Sequence, residues 1–164
     1  MRYLRTLVTV FVFAFSNSAF SQLADLVPIQ VNLDLTTISP GDKLPAQCVI
    51  RNIGDAAAGA SSTGFYLSSD VYLDGADTRL GGGAVAAIAC CKTNSSQVSD
   101  SLLIPIGTSL GTWYILFVAD EDSVVAESDE TNNVKFKEFE VSAIPDYIPI
   151  NIVSPAVAVC AGTS

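Results

Sequence analysis

The 164-residue sequence contains no histidine, one tryptophan and only eight basic residues, against 17 acidic residues. Without histidine, a serine nucleophile would lack its usual general base, and zinc would have to be held by scattered thiolates. The formal net charge of −9 would repel phosphate backbones and anionic membranes. The composition therefore argues against a catalytic role, a zinc site and a nucleic-acid partner. Such acidity is compatible with binding of a cation such as calcium, but solubility is the favoured explanation for it, so no cofactor is expected.

Apolar runs long enough to span a membrane are also lacking. The N-terminal run at residues 7–15 is well short of the roughly 20 apolar residues that a spanning helix needs. Two arginines precede this run, and Ala19 and Ser21 follow it at the spacing that a signal peptidase recognises. We therefore predict that residues 1–21 are a signal peptide and that the mature chain begins at Gln22. The protein would be secreted or displayed at the cell surface, with no membrane span after cleavage.

The four cysteines all lie beyond this segment, in a compartment where disulfides persist. Four cysteines allow three complete pairings, and the sequence alone does not choose among them. Cys48 falls on the inward-facing set of a predicted strand, whereas Cys90 and Cys91 come just before another strand. We therefore predict a disulfide from Cys48 to Cys90 or Cys91.

Short alternating runs separated by turn-forming residues make up the sequence from residue 24 onward, and no stretch has helical periodicity. The run at 113–119 has apolar residues in both alternating sets, which predicts a central strand covered on both sides. About seven strands in about 120 residues are typical of an all-β, immunoglobulin-like antiparallel β-sandwich. The predicted strands are 26–35, 43–52, 63–68, part of 71–79, 97–104, 112–119 and 133–141, with turn signals between them that include the glycines at 81–83.

The aromatic residues are expected mainly in the core. Trp113 is predicted to pack between the two sheets, and Tyr114 and Phe117 are predicted to be buried beside it. The candidates for an exposed carbohydrate-binding platform are Tyr66, Tyr72 and Tyr147. These tyrosines do not share one strand face, so incidental packing is the favoured interpretation for them.

The last predicted strand, 133–141, alternates apolar and charged residues but not regularly. Val134 and Phe136 form one apolar set, and the pattern slips by one position at Lys137 and Glu138. A β-bulge at this point would account for the slip.

Two acidic clusters lie in predicted turns. Asp70, Asp74 and Asp77 surround Gly75, and they are candidate calcium ligands because calcium takes oxygen ligands from loops. Their spacing is not that of an EF-hand, and the alternative is that each aspartate caps its own turn. The same two interpretations apply to a second cluster, which comprises Asp120, Asp122, Glu127, Asp129 and Glu130.

The sequence also contains the start of an internal repeat. Residues 24–31 and 145–152 match without a gap, which predicts that a second copy of the same domain begins near the end of the chain. About 20 residues cannot bury a core of their own. The predicted organisation is therefore a signal peptide at 1–21, a domain at 22–142, and a linker with a truncated repeat at 143–164. The truncated strand could pair with a sheet edge in this molecule or in another.

Several motifs resemble the CARDB family, the cell-adhesion-related domain found in bacteria. They are Pro40-Gly41-Asp42, Asn52-Ile53-Gly54 followed by Ala56 to Gly59, Tyr66-Leu67-Ser68 with the aspartates after it, and the E-S-D-E-T-N-N corner from Glu127 to Asn133. The resemblance covers about residues 24–141. It implies a secreted or surface-exposed seven-stranded sandwich, often in tandem, without one defined activity. The cysteines depart from the usual cysteine-poor pattern of that family.

These observations lead us to expect a non-catalytic module that acts as a spacer or as an adhesion and interaction unit in a larger tandem-repeat protein. Its partner would be a protein or a glycan at the cell surface. The alternative is a calcium-dependent or carbohydrate-binding accessory module of a secreted hydrolase. Calcium-specific stabilisation or retention on glycans would distinguish the alternative from the first interpretation.

Overall fold

The computed structural model describes residues 22–90 and 95–143. The predictions made for residues 1–21, for Cys91 and for 144–164 lie outside these described residues. Within them no helix is long and apolar enough to cross a membrane. The strands are β1 (Leu26–Pro28), β2 (Asn32–Leu33), β3 (Thr37–Ile38), β4 (Lys43–Asn52), β5 (Ser61–Ser68), β6 (Thr78–Val85), β7 (Ser95–Leu103), β8 (Gly111–Ala119) and β9 (Val134–Val141).

Two sheets pack face to face and confirm the immunoglobulin-like sandwich. In one sheet, β4 lies at the centre and pairs with β1, β2 and β7. The other sheet has the order β3, β9, β8, β5, β6. All pairs are antiparallel except β3 with β9, which is parallel. If β1, β2 and β3 are taken as one interrupted strand that changes sheets, the sandwich has the seven strands that the sequence predicts.

The first predicted strand is broken because its chain moves from one sheet to the other. Between β1 and β2 the pairing with β4 shifts by one residue, where Val49 bonds both the Ile29 amide and the Gln30 carbonyl. After β2 the backbone crosses to β9, where the Thr36 carbonyl accepts a hydrogen bond from the Glu140 amide at 2.9 Å. The first and last strands of the domain are thus hydrogen-bonded to each other.

The strand predicted within 71–79 is displaced to β6, which contains the glycines predicted as a turn. A Cβ atom on Gly83 would lie 2.9 Å from Val98 Cγ1 of β7, and one on Gly81 would collide with Asp100 of the same strand. The glycines therefore let β6 approach the edge of the opposite sheet, where a side chain would hold the sheets apart. A strand with this composition resembles a turn in sequence.

The bulge predicted at Lys137 and Glu138 is wrong. These residues pair in unbroken register with Ile115 and Tyr114 of β8. Because directly paired residues share a face, Lys137 lies on the core side of the sheet, at the edge of β9 where β3 no longer pairs with it. A lysine that points inward at an open edge blocks pairing with other strands, and it explains the irregular pattern. The sheet that contains β9 does have a register shift, but it lies between Phe65 and Tyr66, in the β5–β6 pair.

The core confirms that β8 is a central strand, but the aromatic residue predicted to lie between the sheets, Trp113, is not fully buried there. Residues 115–119 of β8 are all buried. Phe117 packs edge to face against Phe65, with ring centroids 5.2 Å apart, an arrangement that adds about 0.5–1.5 kcal/mol to the burial of the rings. Trp113 is only partly buried, and its Nε1 donates to the Ser109 carbonyl at 2.9 Å. Tyr114 is also only partly buried, so of the three predicted residues Phe117 alone fills the core.

The predicted disulfide of Cys48 is wrong, because Cys48 is a free, fully buried thiol. Its side chain points inward from β4, as predicted, but it meets the apolar core there. Burial raises the pKa of the Cys48 thiol to about 12, so it behaves as a small apolar side chain. Cys90 is disulfide-bonded, and Cys48 is not its partner.

Candidate functional site

The E-S-D-E-T-N-N motif belongs to the loop at 120–133, which joins β8 to β9. Asp120 and Ser123 have positive φ angles of 43° and 50°, a conformation that short polar residues tolerate better than others. Asp120 Oδ2 accepts the Val125 amide at 2.8 Å, and the Asp120 carbonyl accepts the Ser123 amide at 2.8 Å. Asp120 therefore organises the sharp turn with which the loop begins. We call this loop, together with Asp25 and Asn52, which pack against it, the acidic corner.

Glu127 connects the acidic corner to the N-terminal strand. Its carboxylate accepts hydrogen bonds from the Leu26 amide and from Asn133 Nδ2, the latter at 3.2 Å. A parallel bridge joins Ala24 to Glu127, and the Ser128 amide donates to the Ala24 carbonyl at 2.8 Å. The contacts with Ala24 and Leu26 span about 100 positions of sequence. They therefore fix the start of the domain against its last loop.

The pKa of the Glu127 carboxyl is raised to about 7. Desolvation is the largest cause, since the residue is 8% exposed, and the charges of Glu130 and Asp120 act in the same direction. The hydrogen bonds from Leu26 and Asn133 oppose the shift because they favour the ionised form. A folded domain therefore holds a proton on Glu127 at pH values where an exposed glutamate has lost it.

Asp25 and Asn52 complete the acidic corner. Asp25 accepts hydrogen bonds from the Ser128 hydroxyl and from Asn132 Nδ2, both at 2.9 Å. Asn52 is fully buried, and its Oδ1 accepts the amides of Asp25 and Gly54 at 3.1 and 3.0 Å. The Asn52 Nδ2 group donates to two carbonyls, those of residues 56 and 88. One side chain thus satisfies four backbone groups.

Gly54 in the same motif has a steric role. A Cβ atom at this position would lie 2.5 Å from the Leu23 carbonyl oxygen and 2.5 Å from the Ala24 carbonyl carbon. Both of these are backbone atoms of the N-terminal segment, which cannot move without losing the contacts of Glu127. The N-x-G motif therefore serves the same attachment as the E-S-D-E-T-N-N motif.

The three candidate calcium ligands at 70–77 form local turns. Asp70 Oδ1 accepts the Tyr72 amide at 2.8 Å, and Asp74 Oδ1 accepts the Ala76 amide at 2.7 Å. Asp77 Oδ2 accepts the Asp74 amide at 2.8 Å. Each carboxylate thus caps a turn, and among the described residues no three acidic or cysteine side chains converge as a metal-binding group. Calcium binding by this trio stays a prediction, without a preformed cluster to support it.

The second acidic cluster is divided by the structure. Asp122 accepts the Ser62 hydroxyl at 2.6 Å, and Asp129 accepts the Thr131 hydroxyl at 2.6 Å, both at exposed positions. Glu130 accepts the Glu127 amide at 3.2 Å. Only two members of the cluster, Asp120 and Glu127, are buried.

An open groove of about 600 Å³ lies beside β6. Arg79 forms a bidentate ion pair with Glu121, at 2.6 and 2.7 Å, and the Tyr66 hydroxyl lies 3.0 Å from the same carboxylate. Arg79 holds the pKa of Glu121 below its usual value. A Cβ atom on Gly64 would collide with the Glu121 carboxylate and with the Tyr66 ring, so both side chains lie against this glycine. Every acidic group of the groove thus already has a hydrogen-bond partner within the domain.

The tyrosines of the predicted platform are separated. Tyr66 lies in the groove and Tyr72 is 75% exposed in the loop at 70–77, whereas Tyr147 lies outside the described residues. The sequence analysis missed the exposed pair on the outer face of β8 and β9, where Tyr114 packs edge to face against Phe136 with centroids 5.8 Å apart. Only the correct register of β9, without the bulge, would have revealed that pair.

No curated protein matches the chain significantly. Solved structures share its fold at low identity. The CARDB domain of a Pyrococcus furiosus protein, crystallised in complex with di-metal ions, is 17% identical with a TM-score of 0.54, and the match covers 73% of this chain and 94% of that one. A domain from a protein assigned to the cell surface of Methanosarcina acetivorans is 14% identical, with a TM-score of 0.51 and coverage of 76% and 97%.

The sporulation control protein Spo0M of Bacillus subtilis is 14% identical to the chain, with a TM-score of 0.51. That match covers 75% of this chain and 51% of the Bacillus protein. The sequence pattern of the CARDB family matches residues 23–137, which include the acidic corner, the N-x-G motif and the first half of β9. The chain belongs to the CARDB family.

Proposed function

We propose that the domain is a non-catalytic spacer and interaction module of an exported or cell-surface protein, in which the chain runs lengthwise through the sandwich. The observation that carries this proposal is the position of the two points at which the chain enters and leaves the domain. Asp25 and Leu26 form hydrogen bonds with the loop at 120–133, which leads directly into β9 at Val134. β9 then runs eight residues to Val141, about 26 Å along the sheet. Entry and exit therefore lie at opposite ends.

A domain with this geometry extends a protein when copies are joined in series, because each copy adds its long dimension to the array. The partial repeat of residues 24–31 at 145–152 supports such an arrangement. The buried hydrogen bonds of Asn52 and Glu127 also support it, since they attach the incoming chain firmly to the body of the domain. The motifs that characterise the sequence are used for this attachment rather than for chemistry.

The non-catalytic part of the proposal rests on the chemistry of the available groups. The chain has no histidine, and the carboxylates of the groove are held by Arg79, Ser62 and the Gly82 amide. Glu127 has a raised pKa, but its carboxyl group is buried against the Leu26 amide and the Asn133 side chain. The requirements of general acid–base work, a titrating group within reach of a substrate, are not met there.

Small-angle X-ray scattering of two copies of residues 22–142 joined by a linker of residues 143–144, which directly precede the partial repeat at 145–152, tests the spacer role. We expect the maximum dimension to exceed that of a single copy by about 26 Å or more. The matched control replaces the linker with a long glycine-serine segment, which should give a broader distribution of distances. A tandem protein whose maximum dimension barely exceeds that of one copy would mean that the domains fold back on each other, and it would contradict the proposal.

The alternative, a calcium-dependent or carbohydrate-binding accessory module of a secreted hydrolase, has one observation in its favour. The groove beside β6 combines a partly exposed ring, Tyr66, with a fixed guanidinium, Arg79, and ligand pockets commonly combine aromatic side chains with a few placed polar or charged groups. Retention of the protein on immobilised polysaccharide, lost in Tyr66→Ala and kept in Tyr72→Ala, would support this alternative over the spacer role.

A further inference from the structure

Three carboxylates of the acidic corner are buried without a positive partner. Asp25, Asp120 and Glu127 are 8%, 3% and 8% exposed. The one salt bridge among the described residues joins Arg79 to Glu121, which belongs to the same loop, and it leaves these three carboxylates without an ion pair. Buried charges in proteins are normally paired or bound to a metal ion. Within the domain, these three carboxylates are held by hydrogen bonds alone.

Unpartnered oxygen atoms lie in the same corner. Asp120 Oδ1 and Asn133 Oδ1 are buried and accept no hydrogen bond, although both residues are more than nine-tenths buried. Asn132 Oδ1 is also a buried atom without a hydrogen-bond partner, in a residue that is itself partly exposed. The amide orientations are defined, because the Nδ2 groups of Asn133 and Asn132 donate to Glu127 and Asp25 respectively. Turning either amide over would place an oxygen against a carboxylate.

The unpartnered atoms of Asp120 and Asn133 belong to neighbouring positions. The Asn133 carbonyl accepts the Ala119 amide at 2.8 Å, which places Asn133 beside the end of β8, where Asp120 follows. Asn133 Nδ2 also contacts the Glu127 carboxylate, and the charge of Asp120 is near enough to Glu127 to raise its pKa. Asp120, Glu127 and Asn133 are therefore neighbours within the acidic corner.

We propose that Asp120 Oδ1 and Asn133 Oδ1 are ligands of a calcium ion in the acidic corner, beside the carboxyl group of Glu127. Carboxylate, amide and backbone oxygens in an irregular loop are the ligands that calcium accepts, whereas magnesium demands a near-octahedral arrangement. The site needs only two acidic residues, which is consistent with the absence of any group of three among the described residues. The ion would brace the loop that holds the N-terminal strand. The site is separate from the loop at 70–77 and does not depend on the spacer role.

Thermal unfolding of the mature chain, first in chelator and then with increasing calcium chloride, tests the proposal. We expect 10 mM calcium to raise Tm by about 5 °C or more, and the same concentration of magnesium or matched sodium chloride to raise it much less. In Asp120→Asn, the calcium-dependent shift should disappear, while Tm in chelator stays at or above the wild-type value because a buried charge has been removed. In the control Asp74→Ala, the shift should be unchanged.

Three outcomes of the unfolding experiment, and one of a calorimetric titration, would overturn the proposal. The first is a shift that persists in Asp120→Asn, and the second is a shift that disappears in Asp74→Ala. The third is a shift that magnesium or sodium reproduces, which would mean screening alone. If Asp120→Asn does not fold, Glu127→Gln provides the second variant, with calcium affinity expected to fall at least about tenfold. Calorimetric titration of the wild type should find one calcium ion per chain, and no binding up to 10 mM would show that the oxygens are satisfied by buried water instead.

Discussion

The acidic corner and the loop at 70–77 have similar composition but opposite roles in the fold. In the loop at 70–77, the carboxylates bond amides two or three residues away and remain exposed. In the acidic corner, Asp25 bonds side chains 103 and 107 positions away, and Glu127 bonds an amide 101 positions away. Local hydrogen bonds shape a turn and add little to the stability of the whole, whereas long-range buried ones join parts of the chain that would otherwise separate.

The largest effect is expected from Asn52→Ala in the acidic corner. The substitution leaves four buried backbone groups without their partner, at a cost of about 3 kcal/mol or more. Urea unfolding measures this loss, and Tm should fall by about 10 °C or more. The control is Asn32→Ala, which removes one exposed contact to Asp34 and should change stability by less than about 0.5 kcal/mol. Equal effects of the two substitutions would remove the distinction between buried and exposed polar groups.

A glycine in each region gives the next comparison. Gly54→Ala would bring a methyl group to 2.5 Å from backbone atoms of residues 23 and 24, and we expect a destabilisation of about 1–3 kcal/mol. Gly75→Ala meets nothing within 4 Å, and it should leave stability unchanged or raise it by about 0.5 kcal/mol through the unfolded state. Denaturant midpoints of the two variants at equal m-value settle the order. A tolerated Gly54→Ala would mean that the N-terminal segment is not held closely.

The pH dependence of stability should report the acidic corner and not the loop at 70–77. The folded pKa of Glu127 is raised from 4.5 to about 7, so the folded state binds its proton more tightly than the unfolded state does. Its contribution to stability is therefore fully present below about pH 4.5 and is lost as pH rises through about 7. Measured in chelator, the wild type should lose stability over this window relative to Glu127→Gln. Parallel pH profiles for the two proteins would contradict the assignment.

The smallest effects are expected in the loop at 70–77. Asp70→Ala, Asp74→Ala and Asp77→Ala each remove one hydrogen bond at an exposed turn. Each should lower the free energy of unfolding by less than about 1 kcal/mol. Chemical denaturation of the three variants checks this expectation. A loss comparable with that of Asn52→Ala would show that the turn aspartates have a larger structural role than their local contacts indicate.

Features that depend on neighbouring residues could be predicted from the sequence, and features that depend on distant partners could not. β4 occupies the predicted residues because its alternation is regular and is complete within the strand. β6 was misplaced because its glycines are explained only by the approach of β7. The inward position of Lys137 depends on the pairing of β9 with both of its neighbours. An alternating pattern identifies the two faces of a strand, but not which edge is open.

The same distinction between neighbouring and distant partners applies to the candidate site. The turn-capping role of Asp70, Asp74 and Asp77 was one of the two interpretations that the sequence left open, because it involves only nearby amides. The difference between Asp120 or Glu127 and their exposed neighbours in the second cluster could not be predicted. All of these acids occur in one short loop, and only the packing of β1 against that loop decides which of them are buried.

Amide hydrogen exchange at Leu26 tests most directly whether the acidic corner holds the N-terminal strand. The Leu26 amide donates to the Glu127 side chain, whereas the Ala76 amide donates to Asp74 in its own turn. We expect Leu26 to exchange as slowly as the central amides of β8, through opening of the whole domain, and Ala76 to exchange rapidly by local opening. Exchange of Leu26 as fast as that of Ala76 would show that the corner does not anchor the strand, and it would contradict the account.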